Sequence, residues 1–79
     1  MKTQNDRIKI YAPDIEPRMR HKRIFDIFDG LEIGMCLELT NDHDPKPLYY
    51  QFLFEREGLF DWKYELDGPT TWRVTIRKR

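Results

Sequence analysis

The segment Asn41-Asp42-His43-Asp44-Pro45-Lys46-Pro47 concentrates more side chains able to do chemistry than any other stretch of this sequence. A second histidine, His21, follows Glu16-Pro17-Arg18-Met19-Arg20. Three chemistries fit these residues. In the first, Asp44 caps a helix that Pro45 opens, Asn41 or Asp42 makes an Asx-turn, and His43 is simply exposed. In the second, His21 and His43 supply nitrogen ligands and Asp42 and Glu16 oxygen ligands to a metal. Such a mixed set suits zinc or iron and leaves a coordination position open, although no two histidines share an i, i+4 helical spacing. In the third, the same end holds a small anionic ligand or a protein partner through Arg18, Arg20, His21, Asn41, Asp42, His43 and Lys46. Backbone N–H groups at two helix starts would favour the negative charge, and Asp42 and Asp44 would oppose it unless the basic residues outweigh them.

Other candidates carry less. Cys36 is the single cysteine, so it forms no intramolecular disulfide and no cysteine-only zinc site. It begins a strand that His43 follows, and about five residues at roughly 3.3 Å each keep the two more than 15 Å apart. Tyr49, Tyr50, Phe52 and Phe54 could stack on bases, yet helical spacing puts Tyr49 and Phe52 in a core and leaves Tyr50 and Phe54 for contact. The basic ending Arg73, Arg77, Lys78 and Arg79 is offset by Glu65 and Asp67. With no nucleophile, phosphate loop or acid–base pair at a recognisable spacing, no catalytic residue is assigned. The chain reads as a non-enzymatic binding or accessory module acting through the His21/His43 end.

The elements that position these residues follow from patterning. Residues 1–6 are polar and expected to be frayed, leaving one domain over 7–79. Arg7 to Tyr11 alternates polar and apolar, as a strand with one wet face does. Pro17 opens a helix to Asp29, with Ile24, Ile27, Phe28 and Leu31 at helical spacing and Gly30 as its stop. Met35 to Thr40 is a second strand, with Leu37 and Leu39 on one face and Cys36, Glu38 and Thr40 on the other. Asp44-Pro45 starts a second helix that ends before Gly58, carrying Leu48 and Phe52 beside Tyr49 and Leu53. Phe60, Trp62, Tyr64 and Leu66 then alternate, as do Trp72, Val74 and Ile76, with Asp67-Gly68-Pro69 as a hairpin turn.

The order is βαβαββ, an α/β pattern. Right-handed crossovers pair the first two strands in parallel and put both helices on one sheet face. The other face receives Lys9, Glu38, Lys63, Glu65, Arg73, Thr75 and Arg77. Residues that follow two adjacent parallel strands gather at the carboxyl end of the sheet, where α/β folds commonly bind ligands. The topology therefore predicts that Arg20-His21 and Asn41-Asp42-His43 meet.

Composition bounds the rest. A chain of 79 residues forms one domain with a thin core, burying only about 60% of its unfolded surface. Its 14 basic and 14 acidic residues cancel, so nucleic acid and anionic membrane are not expected partners. Met1 to Arg7 has no apolar run to act as a signal peptide, and no stretch approaches the roughly 20 apolar residues of a membrane span. With a free thiol, these features predict a cytoplasmic location.

The βαβαββ order, the proline-led first helix and the closing strand Trp72-Arg73-Val74-Thr75-Ile76-Arg77-Lys78-Arg79 resemble the TusA/SirA-like superfamily of bacterial sulfur carriers. Arg20-His21 and the stretch Asn41 to Phe52 (NDHDPKPLYYQF) resemble an uncharacterised branch of it. The resemblance implies an α+β two-layer sandwich with a four-stranded mixed sheet. Sulfur carriers hold persulfide on a cysteine at the first helix start, where this chain has Ile15-Glu16-Pro17-Arg18-Met19 and no cysteine. Persulfide carriage by that route is excluded. Association with hemerythrin-like domains and nitrogen-oxide respiration is likewise implied by the resemblance alone.

Overall fold

A computed structural model describes residues 7–79. The frayed segment expected over residues 1–6 lies outside the described residues. Strand β1 (Arg7–Tyr11) leads through two 3-10 turns, Ala12–Asp14 and Pro17–Met19, into helix α1 (Arg20–Asp29). Strand β2 (Cys36–Asn41), helix α2 (Lys46–Glu55), and strands β3 (Phe60–Asp67) and β4 (Trp72–Lys78) follow. The sheet has four strands in the order β1-β2-β4-β3. β1 and β2 are parallel, and β4 is antiparallel to both β2 and β3. The result is the expected α+β arrangement of two helices and a mixed sheet.

Strand alternation decides which face the helices cover. Leu37, Leu39, Val74 and Ile76 from the central strands meet Ile24, Phe25 and Phe28 of α1 and Leu48 and Phe52 of α2 in one core. Phe52 anchors it, stacked on Phe25 at 4.3 Å and edge-on to Phe28 at 5.1 Å between ring centroids. The opposite face carries charges paired across strands, as expected. Glu38 accepts from Arg7 at 3.0 Å and lies 3.7 Å from Arg73, and Arg77 meets Asp61 at 2.8 Å. Among the described residues no helix is long and apolar enough to cross a membrane.

Several local expectations need correction. Pro17 opens a 3-10 turn, and α1 proper begins at Arg20. Gly30 stops α1 as expected, with φ −82°. Phe25, absent from the expected stripe, is buried, whereas Leu53 of α2 is 42% exposed. Leu66 does not share the inward face of Phe60, Trp62 and Tyr64. The register shifts between Tyr64 and Leu66, pairing Leu66 with Arg73, so the extra residue turns Leu66 outward. Gly68 is required at the hairpin: its φ is +81°, and a Cβ there would lie 2.7 Å from the Trp72 ring.

Candidate functional site

The loops after β1 and β2 do meet. A cavity of about 230 Å³ is lined by Arg20 and His21 from α1, by Asn41 at the end of β2, and by His43. Pro17, Pro45 and Pro47 shape its rim, and Ala12, Ile24, Leu39 and Leu48 close it toward the core. Expected site residues Arg20, His21, Asn41 and His43 are thus brought together. Glu16, Arg18, Asp42 and Lys46 do not line the cavity. Glu16 and Arg18 pair with each other at 3.4 Å, with the Arg18 side chain 83% exposed. Lys46 lines a different groove, on the other side of α2.

Asp44 does not cap α2. Its Oδ1 accepts the Tyr64 hydroxyl at 2.7 Å, and the residue at the helix boundary is Pro45, which has no side chain to cap with. The Pro45 carbonyl accepts the Tyr49 N–H at 3.1 Å and closes the first turn. Neither helix start carries a side-chain cap. The first donors of an α-helix have no partner inside it, and Pro47 removes one of them from α2. Leu48 keeps its own beside the cavity. Burial, then the bond to Asp44, push the Tyr64 phenol up to about 12, so it remains a neutral donor that holds Asp44 away from the helix.

The expected Asx-turn is replaced by a shorter contact. Asn41, only 7% exposed, accepts the N–H of the adjacent Asp42 at 2.8 Å through Oδ1. Its NH2 is the end of the amide that this contact leaves unused. His43 Nδ1 meets Asp42 Oδ1 at 2.9 Å. That bond, ahead of the charges of His43 and Arg20, lowers the Asp42 pKa from its ordinary 3.8. Arg20 itself is fixed by Nε donating to the Ile15 carbonyl at 2.8 Å.

The histidine tautomers follow from their partners. His21 Nδ1 lies 2.6 Å from Gln51 Oε1, while Gln51 Nε2 donates to Glu55 at 3.0 Å. The Gln51 oxygen therefore faces His21, whose Nδ1 must carry the proton. Asp42 imposes the same on His43. In the neutral ring, each histidine keeps Nε2 as its open nitrogen. Sequence reasoning missed Gln51 because a glutamine inside a helix gives no signal of its distant partner. Among the described residues, no three His, Cys, Asp or Glu side chains are grouped to hold a metal ion. The four expected ligands are therefore not gathered, since Glu16 turns to Arg18 and Asp42 to His43.

Cys36 is half-buried at the opposite end of β2, paired in register with Arg7 and Arg77. Tyr50 and Phe54 are exposed, at 59% and 89%, as helical spacing predicts.

Neither a curated protein nor a solved structure matches the chain. A family model described as an uncharacterized conserved protein, DUF2249, matches residues 10–78. With nearly its whole length matched, the chain belongs to the DUF2249 family.

Proposed function

We propose that this protein is a non-enzymatic binding or accessory module whose His21/His43 cavity receives a small anionic group, either free or presented by a partner protein. The observation that carries this reading is the uncapped start of α2 beside a cavity lined by Arg20, His21, Asn41 and His43. Helix N-termini favour anions through their free N–H groups and the helix dipole. Arg20 adds a permanent positive charge, and the Asn41 NH2 adds a donor. A volume of about 230 Å³ is below the roughly 300–1,000 Å³ of sites for drug-sized ligands. It suits a carboxylate, an inorganic oxyanion or one acidic side chain. The βαβαββ order supports kinship with the TusA/SirA-like superfamily, and a link to redox or nitrogen-oxide metabolism rests on that kinship. Calorimetric titration with acetate, phosphate, sulfate and nitrite tests the reading. At least one should bind saturably, and Arg20→Ala should abolish it. Turnover of a substrate that disappears in His43→Ala would replace the binding role with catalysis.

A metal-binding reading is favoured by one specific observation. Both histidines bond an oxygen through Nδ1, the outer-shell arrangement that orients a histidine whose Nε2 ligates a metal. The remaining ligands to zinc or iron would come from water or a partner. Elemental analysis of untagged protein, wild type against His21→Ala/His43→Ala, separates this reading from the anion site. Stoichiometric metal in the wild type alone supports it, and no metal in either removes it.

A further inference from the structure

A second and larger concavity lies between α2 and the edge strand β3. Its volume is about 550 Å³, within the range of small-molecule sites. The wall is aromatic: Tyr49 lies 5.1 Å from Trp62 and 5.6 Å from Tyr50, and Trp62 lies 6.1 Å from Tyr64, between ring centroids. Helix α2 forms one side and is apolar on its groove flank as well as its core flank, with a polar stripe only at Gln51 and Glu55. Leu48 and Phe52 face the core, while Tyr50, Leu53 and Phe54 are exposed. A helix of that pattern ordinarily has both faces covered.

Charge defines what would cover this one. Lys46 lines the groove and makes no salt bridge among the described residues. Arg79, also in the lining, shares Asp61 with Arg77, at 3.3 and 2.8 Å. Among the lining side chains, two cations, Lys46 and Arg79, thus face one carboxylate, Asp61. The buried indole N–H of Trp62 makes only a weak contact with the Tyr64 hydroxyl, short of a full hydrogen bond.

We propose that the α2–β3 groove is a binding site for a planar aromatic ligand carrying an anionic group. Its ring lies against Tyr49, Tyr50 and Trp62, and its charge is met by Lys46, since Arg79 is already paired with Asp61. The site is separate from the His21/His43 cavity and does not depend on its function.

The probe is 2-naphthoate, compared with the neutral 2-naphthylmethanol and the cationic 2-naphthylmethylamine, followed through the two indole N–H resonances. Trp72→Phe assigns the Trp62 signal. Naphthoate should shift the Trp62 resonance saturably and bind about fivefold more tightly than the alcohol. Lys46→Ala should erase that preference, and Tyr50→Ala should weaken both ligands about fivefold. His21→Ala/His43→Ala should leave naphthoate binding unchanged. Both groove positions are exposed, so the variants retain the fold, and a melting curve verifies it. No saturable shift, equal binding of the cation, or loss of binding in the histidine variant would each overturn the proposal.

Discussion

The two ends of the helical layer are finished in opposite ways. Where the helices stop, their polar groups are tied down. Lys78 Nζ donates to the Asp29 and Phe28 carbonyls at 2.9 and 3.4 Å. Arg56 grips Asp29 through two bonds, at 2.9 and 2.8 Å, and lies 4.9 Å over the Phe25 ring. Where the helices start, neither has a side-chain cap, and the carboxylate best placed to supply one is held by Tyr64. In a small domain with a net stability of about 4–12 kcal/mol, an omitted cap forgoes about 1 kcal/mol. The contrast teaches that one end is tied down by side chains while the other is left without caps, as the proposed anion site requires.

Substitutions can break or sharpen that contrast. The core shared by both ends sets the upper limit: Phe52→Ala removes a fully buried ring and should cost about 3–5 kcal/mol, read by urea denaturation. At the closed end, Arg56→Ala should cost about 1 kcal/mol at neutral pH, discounted because the Asp29 side chain is 49% exposed. The Arg56 hydrogen bonds lower the Asp29 pKa below 3.8, so this contribution is complete above about pH 4. It fades as pH falls through the depressed value, and the gap between variant and wild type narrows to the contact with Phe25. A gap independent of pH would contradict the Arg56–Asp29 account.

The helix starts were only half legible in sequence. Alternation in Arg7–Tyr11 and the apolar spacing of α1 give strands and helix directly, because those signals are local. Adjacency of the two parallel strands then brings His21 and His43 to one cavity. Asp44 could not be read the same way. Asp-Pro fits a helix cap, but the competing partner, Tyr64, is distant in sequence and reaches Asp44 only after β3 is in place. Lys46 was misplaced for a similar reason, since its side of α2 depends on where the helix begins. The outward turn of Leu66 depends on a register shift that alternation cannot show.

That competition is itself open to test. Asp44→Asn should lower the Tyr64 pKa from about 12, as seen by ultraviolet titration of the phenolate. Because folding raises this pKa, the Tyr64 contribution to stability is complete below about pH 10 and is lost as pH climbs through about 12. Asp44→Asn should reduce it, and an unchanged titration would show that Asp44 does not hold the phenol. The smallest stability effect belongs to the open end. His21→Ala/His43→Ala alters exposed side chains and should change the unfolding free energy by no more than about 0.5 kcal/mol, measured on the same urea curves.

The central claim is that the start of α2 is left uncapped to receive an anion. An amide NMR titration of the wild-type protein with the anion that binds in calorimetry tests it most directly. The account predicts saturable shifts of the Leu48 backbone N–H signal together with the Asn41 NH2, and their loss in Arg20→Ala. A silent Leu48 amide at saturating anion would contradict it.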